Sequence, residues 1–380
     1  MPIWRSDRAR IYAQEETTFA ADPAGTRTYL GGLIASAEIT APTVNWLPYR
    51  TVGVDRHYGL VVEGQRSLSE IRLPIILQTP KIFRYLFEGR KTVTNTPSTG
   101  INTHIYSPVG TESTKGDLST SLVDANVQTL LSFTTEISYQ DPTVGATNHF
   151  VRLYHGCKIQ NVELTLDSSN ELLATIDISA IVPTISSTRS TVVLNTIRPY
   201  FFSDAQVRMF GSSSTQNATT GIMTIGSPTT YNRINNFTIN IENNLLPKYY
   251  ATASGTVYRG GGQYASDIIP GLREITGSIE TVLDDTSLSM AGGSLSSVNN
   301  TIWGHLLSVG GATNPFDMEI TLTRTASEDL VRFQFFDCWI SRAPHIIPED
   351  KADIPVTVEF GARKMRVEVV NNQSDVNMSF

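Results

Sequence analysis

The chain has 380 residues, of which 40% are hydrophobic and 17% are charged, and its formal net charge at pH 7 is −7. This length and apolar content are sufficient for two hydrophobic cores, which excludes an intrinsically disordered chain. The negative charge argues against tight binding of nucleic acid, because such binding requires a basic surface.

The N-terminal segment is polar and irregular, which predicts an arm or an edge segment rather than a core element. Residues 1–34 include the stretch Glu15–Phe19 and an Ala-Asp-Pro-Ala-Gly turn at 21–25. The sequence contains neither an apolar signal segment at its start nor a run of about 18 uncharged apolar residues. We therefore expect neither secretion nor a membrane span.

Two strands and a short helix are predicted next. Strands are expected around Ile34–Trp46 and across Tyr58–Leu77. A helix is expected at Thr79–Gly89, because a Thr-Pro pair is a favourable helix start and a glycine ends the pattern. The buried side of this helix would consist of four apolar residues, Ile82, Phe83, Leu86 and Phe87.

A long loop rich in Ser, Thr, Gly and Pro is predicted at residues 91–126. Ordinary connections are much shorter, so we expect a loop of this length to be functional or to be ordered by a partner.

Alternating strands follow at Leu130–Tyr139 and His149–Cys157, and the second of them ends in a cysteine within an apolar run.

The clearest hairpin of the sequence lies after Cys157. Val162, Leu164 and Leu166 alternate with polar residues, a turn follows at 167–170, and the return strand alternates in the same way. One face of this hairpin is aliphatic, and the other is acidic and rich in threonine. The acids of the outer face are Glu163, Asp167 and Asp177.

The second half of the chain opens near Ile197–Phe202, and a mobile loop is predicted after it at residues 211–230, which match no strand pattern. Alternating strands are then expected at 237–242, 275–284 and 318–323. Glu280 and Glu319 lie at polar positions of the last two strands.

A second short helix, a second cysteine strand and a polar tail complete the chain. The helix is expected at Asn300–Gly310, and the strand Leu330–Ile340 is a nearly continuous apolar and aromatic run. Trp339 is therefore expected in the core of that strand. The polar tail comprises residues 371–375.

This second half resembles a diverged copy of the first. Three landmarks recur in order: an Asn-Trp-Leu-Pro-Tyr or Asn-Leu-Leu-Pro-Lys-Tyr phrase, a short helix and a cysteine strand. Their spacing differs, which indicates that loops changed length while the strands kept their order. We predict two modules, residues 1–190 with the long loop 91–126 and residues 191–380 with the loop 211–230. Cys157 and Cys338 would be buried free thiols at equivalent positions.

No motif for catalysis or cofactor binding occurs in the sequence. It lacks a nucleophile elbow, a phosphate-binding loop and a dinucleotide fingerprint, and its histidines make no metal-binding pair at helical spacing. We therefore predict no enzyme, no cofactor and no metal. Two carboxylates for glycoside hydrolysis could come from distant strands, so a hydrolytic or carbohydrate-binding β-sandwich stays open as an alternative.

Four passages carry a resemblance to a known family. They are the arm Glu15–Phe19, the Gly-Cys strand and hairpin Phe150–Leu164, the Asn-rich strand end Phe237–Leu245 and the strand Ile275–Glu280. Their order across residues 10–362 resembles that of the tail tube proteins, or major tail proteins, of long-tailed bacteriophages and related archaeal viruses. The resemblance implies an all-β fold with short flanking helices, in two tandem β-sandwich or barrel-like modules.

The same resemblance implies a structural virion protein whose rings stack into a hollow tail tube through which viral DNA passes. Chains with two modules would form homotrimeric rings with pseudo-sixfold symmetry. The implied partners are further copies of the chain, the tape measure protein and DNA in the lumen without tight binding, and tail terminator and baseplate proteins at the ends. No membrane partner is expected. The implied location is the virion tail, with assembly in the host cytoplasm.

Acidic strand residues suit the wall of a DNA conduit, because they repel phosphate groups. The candidate lumen-facing acids are Glu163, Asp167, Asp177, Glu280 and Glu319. Ordinary solvent-facing strand positions are the alternative interpretation of these residues. The arm, the two long loops and the tail are candidates for contacts between rings. Another virion β protein, such as a decoration or baseplate subunit, is the alternative function.

Overall fold

The computed structural model of the protein is built almost entirely of antiparallel strands. The residues described are 9–23, 25, 27–49, 60–96, 100–124, 129–140, 149–168, 170–186, 188–191, 196–231, 234–250, 263–282, 306, 315–325, 329–344, 347, 349, 354–374 and 376–380. Within these residues, no helix has the length and apolar character needed to cross a membrane.

Strands form where β-branched and aromatic residues alternate with polar ones, the pattern of a half-buried strand. The strands of the first half are β1 (Ala9–Glu15), β2 (Gly32–Ile34), β3 (Glu38–Thr40), β4 (Val44–Tyr49), β5 (Leu60–Arg66), β6 (Ser69–Leu77), β7 (Gly89–Thr96), β8 (Ile101–Ser107), β9 (Phe133–Gln140), β10 (His149–Asp167), β11 (Leu173–Ala180) and β12 (Val182–Ser186). Those of the second half are β13 (Ala205–Gly211), β14 (Thr215–Gln216), β15 (Met223–Thr224), β16 (Thr229–Tyr231), β17 (Ile234–Glu242), β18 (Leu246–Lys248), β19 (Asp267–Ile269), β20 (Glu274–Val282), β21 (Phe316–Thr325), β22 (Asp329–Arg342) and β23 (Pro355–Asn371).

The middle of the molecule is a sheet with the strand order β3–β6–β11–β10–β17–β20–β23–β22, which we call the central sheet. The long strand β10 takes part in two layers. Its first half pairs with β9 and β12, and its second half pairs with β11 and β17. The long strand β23 likewise pairs with β20 at its start and with β8 at its end.

The two halves of the chain pair their strands in the same order. In the first half the order is β1–β9–β10–β11–β6–β3. In the second half it is β13–β21–β22–β23–β20–β17. The hairpin β4–β5 corresponds by its place in this order to the hairpin β18–β19. The pair β10–β17 joins the two halves edge to edge within the central sheet.

Local irregularities fall at matching places in the two halves. Cys157 pairs with Phe133, and Cys338 pairs with Phe316, each beside a shift in strand register. A second register shift follows Ile159, two residues after Cys157, and another follows Ile340, two residues after Cys338. These landmarks align β10 with β22 residue by residue. The division of the chain into modules 1–190 and 191–380 stays a prediction.

One hydrophobic core extends through both halves and contains Cys157 and Cys338 as buried free thiols. The inward residues of the central sheet pack in this core with a short 3₁₀-helix at Pro80–Tyr85. The ring of Phe83 on that helix contacts Phe333 of β22 edge to face, with centroids 5.3 Å apart. An aromatic contact of this kind links elements that are far apart in sequence.

The first predicted helix exists, but it is a 3₁₀-helix rather than an α-helix. Thr79 makes no side-chain capping hydrogen bond, and the helix has only 6 residues before the chain enters β7 at Gly89. A tight 3₁₀ turn suits such a short connection. All four residues predicted for its buried side are buried. The second predicted helix lies outside the described residues apart from Leu306, which is helical.

The segment 91–126, predicted to be a long loop, instead contains most of β7 and all of β8. Strand β8 pairs with the end of β23, and His104 and Tyr106 are buried there. The segment 211–230 likewise contains β14 and β15, with β16 beginning at its end. A threonine-rich sequence alone does not distinguish a loop from a strand, because strand formation depends on pairing with a partner strand that is distant in sequence.

The C-terminal segment, predicted to be a polar tail, returns to the core. Phe380 is buried and stacks on Tyr85, with ring centroids 4.3 Å apart. The Phe380 backbone N–H donates to the Tyr85 hydroxyl at 2.9 Å, and the Phe380 carbonyl accepts the Glu15 N–H at 3.1 Å. These contacts fasten the C-terminal segment to β1 and to the 3₁₀-helix.

Candidate functional site: an acidic sheet face between two open edges

The central sheet is apolar on one face and polar on the other. Along β6, β11, β10 and β17, buried residues alternate with partly or fully exposed ones. The registers of these strands align all the buried positions on one side. The opposite face is therefore accessible across strands from both halves of the chain.

Acidic side chains predominate on this accessible face. Cross-strand rows bring together carboxylates that are remote in sequence, as in the row Glu38–Arg72–Asp177–Asn161–Glu242–Glu274. In the part of this face formed by β3, β6, β11, β17, β20, the second half of β10, the start of β23 and the end of β22, the acids at polar positions are Glu38, Glu70, Glu163, Asp167, Asp177, Glu242, Glu274, Glu280 and Glu359. The arginines there are Arg72 and Arg342, which lie 3.8 Å from Asp177 and 3.7 Å from Glu359.

Four of the predicted site acids lie on this face. Glu163 pairs across the sheet with Thr175 and Asn240, so its neighbours are uncharged. Asp167 accepts the side-chain amide of Asn170 at 2.6 Å, and Asp177 accepts that of Asn161 at 3.3 Å. Glu280 accepts the side-chain amide of Asn236 at 2.7 Å. These bonds orient the carboxylates without neutralising them.

The fifth predicted acid, Glu319 of β21, lies elsewhere in the fold. It is 2% exposed, forms an ion pair with Arg208 and accepts the side-chain amide of Gln334 at 2.8 Å. Strand β15 covers this part of the sheet, since the Met223 carbonyl accepts a bond from Gln334. A buried carboxylate with these partners serves packing of the second half rather than an accessible surface.

Sequence reasoning missed five acids of the polar face, namely Glu38, Glu70, Glu242, Glu274 and Glu359. Each alternates with apolar residues in its own strand, and that signal was present in the sequence. What the sequence lacked was the register between strands. Only the register places these carboxylates beside Glu163, Asp177 and Glu280.

The first open edge of the central sheet is the end of β22. On one side β21 pairs with β22 as far as Cys338, and the described residues beyond it, 339–344, have a strand partner only in β23. Trp339 lies at this edge and is 43% exposed, so its predicted core position is wrong. Ala343 is buried, and the Pro344 carbonyl accepts the Thr357 N–H at 3.1 Å.

The second open edge is strand β3, together with β2. Among the described strands, both pair only with β6. Beside them lies a groove of about 460 Å³ between this edge and strands β1 and β9. Its apolar lining includes Leu33, Ile34, Ala37, Ile39 and Tyr139. Open strand edges beside apolar surface are pairing sites that soluble proteins normally protect.

The hairpin β4–β5 adds an exposed apolar surface near this second edge. Its large exposed side chains are Trp46, Leu47, Tyr49, Leu60, Val61 and Val62. Val61 of this hairpin corresponds to Ile268 of β19, because Pro48 pairs with Val61 as Pro247 pairs with Ile268. Ile268 is buried against residues of the first half such as Ile181. This one position is therefore covered in the hairpin β18–β19 and exposed in the hairpin β4–β5. Apolar patches of this kind mark interaction surfaces.

The described residues hold no group of His, Cys, Asp and Glu side chains that could bind a metal ion. Burial raises the pKa of the Cys157 thiol to about 12 and raises the pKa of Cys338 well above its ordinary value. Thiols with raised pKa values are poor nucleophiles at neutral pH.

Comparison with known proteins gives one family. The sequence profile of the family described as phage tail tube protein matches residues 6–362, nearly the whole chain. A comparison with curated proteins gave no match.

Proposed function

The chain belongs to the phage tail tube protein family, and on that premise we propose that its copies close into rings that stack into the hollow tube of a virion tail. Family membership makes the protein a structural component of the phage tail and gives it an all-β fold. The proposal concerns how the chain builds the tube and which surface faces the lumen.

The observation that supports ring closure is the edge-to-edge junction of the two halves. Strand β10 of the first half pairs with β17 of the second half over seven residues of each strand, Asn161–Asp167 and Asn236–Glu242. The equivalent edges at the other ends of the central sheet, β22 and β3, are open among the described residues. Joining unlike edges is a head-to-tail contact, which closes into a ring when the rotation allows. Three chains would then supply six equivalent units.

We place the acidic face of the central sheet on the lumen side of the ring. A DNA conduit must not retain its cargo, and fixed carboxylates repel phosphate groups and prevent counterion-release binding. Glu163, Asp167 and Asp177 would come from the first half and Glu280 from the second. Both halves would then contribute negative charge to one continuous wall.

The remaining partners follow from a tube with two ends and a filled lumen. The tape measure protein and viral DNA would occupy the lumen in turn, without tight binding. Tail terminator and baseplate proteins would contact the end rings. Assembly would take place in the host cytoplasm, and the finished protein would reside in the virion tail.

Electron microscopy of the concentrated, purified protein tests the proposal. We expect rings with a central hole and tubes one ring wide, and sedimentation should detect a trimer as the smallest closed species. Monomers alone, at every concentration and salt condition tried, would contradict ring formation. Filled particles without a hole would contradict the conduit and favour another virion component.

A further inference from the structure

We propose that a polar cleft beside the C-terminal segment binds a small organic molecule that carries a carboxylate or a phosphate group. The cleft has a volume of about 470 Å³. It lies between the start of the 3₁₀-helix, the end of β21, the start of β22 and the C-terminal segment that follows β23. This site is distinct from the polar face of the central sheet, and ligand binding there is independent of ring formation.

The ammonium group of Lys81 is the cation on which the site depends. It donates to the Ser379 carbonyl at 2.9 Å and lies 5.6 Å from the centroid of the Tyr29 ring. No carboxylate of the residues that the structure describes forms an ion pair with it, and burial lowers its pKa to about 8. An ammonium group has three N–H donors. Two of them are therefore available to a ligand.

Arg324 adds a second positive charge, which the surrounding structure holds in place. Its side chain is 7% exposed and forms an ion pair with Asp329 at 2.7 Å. The guanidinium carbon lies 4.1 Å from the centroid of the Tyr200 ring. Its Nη1 atom donates to the carbonyls of Gln78 and Arg198. The buried Nε atom makes no hydrogen bond.

The cleft is therefore positive within an acidic chain. Among the described residues, the charged side chains that line it are Lys81, Arg324 and Asp329, whereas the whole chain has a net charge of −7. Asp329 is already bound by Arg324, and the Tyr200 hydroxyl donates to it at 3.1 Å. A partly buried ammonium group without an acid is unfavourable unless an anion compensates its charge. The ligand would supply that negative charge.

Amide side chains form the wall of the cleft on the C-terminal side. The buried Asn371 fixes this wall, because its oxygen accepts the Gln373 N–H at 2.9 Å and its amide donates to the Met378 sulfur at 3.3 Å. Asn372 accepts the Gln373 side-chain amide at 3.0 Å, which leaves its own NH₂ group as a donor. Asn377 lines the cleft and is exposed. Amide and ammonium donors together suit the oxygen atoms of a carboxylate or a phosphate.

The size of the cleft and its apolar side favour an organic ligand over an inorganic ion. Ile197 is 38% exposed and lines the cleft, as does the Tyr29 ring. The volume lies within the range of small-molecule sites, whereas one water molecule occupies only about 30 Å³. We therefore expect a molecule with a carbon skeleton to bind more tightly than inorganic phosphate.

Isothermal titration calorimetry of the full chain with citrate and with inorganic phosphate tests the site. At pH 7 and low ionic strength, we expect one citrate per chain with a dissociation constant of roughly 0.1–1 mM, and weaker binding of phosphate. Lys81→Met removes the charge and should weaken citrate binding by at least about tenfold, because hydrogen bonds to charged groups are strong. Lys248→Met is the matched control, since Lys248 is also partly buried but lies on β18, outside the cleft. It should bind citrate as the parent does.

A pH series identifies the group that binds the anion. Lys81 loses its proton as the pH rises through about 8. At pH 9 about one tenth of the free sites would hold the charged form, so the dissociation constant for citrate should be about tenfold higher than at pH 7. Tyr29, Arg324 and Asp329 also face the cleft. They are present in Lys81→Met as well, so this dependence should disappear from the variant.

Three outcomes would overturn the site. They are a parent chain that binds neither citrate nor phosphate at about 10 mM, equal citrate binding by the parent and Lys81→Met, and equal weakening by Lys81→Met and Lys248→Met. Circular dichroism verifies that each variant is folded. Asn377→Ala, a change at an exposed position, provides a second test and should weaken citrate binding about threefold to tenfold. Ring formation is measured separately by microscopy of the parent chain and stands or fails independently of these results.

Discussion

Gly156 and Asp337 occupy the same position in the two halves of the chain, immediately before a buried cysteine. Both have left-handed backbones, with φ values of +66° and +51°. Each backbone N–H donates to a carboxylate that is largely buried: Gly156 to Glu16 at 2.8 Å and Asp337 to Asp317 at 3.2 Å. The left-handed residue thus donates its N–H to a carboxylate of the N-terminal segment in the first half and to a carboxylate of β21 in the second half.

Replacing Gly156 with alanine should destabilise the protein by about 1–2 kcal/mol, because a Cβ atom is unfavourable in a left-handed backbone. That Cβ would also lie 3.2 Å from the Ala20 methyl group and 3.3 Å from Ile181. Urea unfolding of the monomer, followed by circular dichroism, measures the change. Asp337→Asn is the comparison at the equivalent position: asparagine tolerates this conformation, so any loss there reports the ion pairs of Asp337 with Lys115 and Arg363. A Gly156→Ala variant as stable as the parent would refute the strain argument.

Phe380→Ala should cost about 3–5 kcal/mol of the free energy of unfolding, which is typical for removal of a buried aromatic ring. The variant loses the stacking on Tyr85 and the edge contact with Phe133. Asn377→Ala changes an exposed residue of the same segment and should have little effect. The comparison is made by chemical unfolding. Similar midpoints for the two variants would show that the C-terminal segment contributes little to the core.

Lys81 should make stability increase with pH in the alkaline range. Burial lowers the pKa of its ammonium group from 10.5 to about 8. Between these values the unfolded chain holds a proton that the folded chain has released, so the free energy of unfolding rises with pH. Below about pH 8 the group is charged in both states and contributes no slope.

Lys81→Met removes this titration. The contribution of Lys81 is measured by urea unfolding of the parent and the variant at several pH values from about 7 to 10.5. The other titrating groups cancel in the difference between the two free energies of unfolding. We expect the stability of the parent relative to the variant to increase across the interval. Lys248→Met provides a control lysine on β18. A difference that stays constant with pH would contradict the burial of the Lys81 charge.

Charge reversal on the polar face should convert the tube into a DNA-binding surface. The variant Glu163→Lys with Glu280→Lys places a base in each half, where the parent has acids. We expect the assembled variant to retain duplex DNA at low salt. The slope of the logarithm of the binding constant against the logarithm of the salt concentration should steepen by roughly one for each lysine that contacts a phosphate. Filter retention measures the binding.

Glu349→Lys serves as the control for added charge, because Glu349 is an exposed turn residue outside the central sheet. It should leave DNA retention by the interior unchanged. DNA binding of equal strength in the two variants would show that the central face is not the wall of the lumen, even if rings form.

The sequence by itself determined the strands with clear alternation, but not the threonine-rich strands of the segments 91–126 and 211–230. Alternation in the hairpin after Cys157 predicts its two faces, and the cysteine strands are recognisable in both halves because β propensity and alternation are local properties. The same local signals, in their order along the chain, were enough for the family resemblance that the profile match confirms.

Only the tertiary structure decided which polar face is accessible. Glu280 and Glu319 stand at comparable positions of alternating strands, yet the first lies on the open face and the second is buried beside Arg208. Alternation distinguishes the two sides of a strand, but it carries no information about what covers each side. That depends on contacts between distant segments, which also bring Phe380 into the core and leave Trp339 exposed at an open edge.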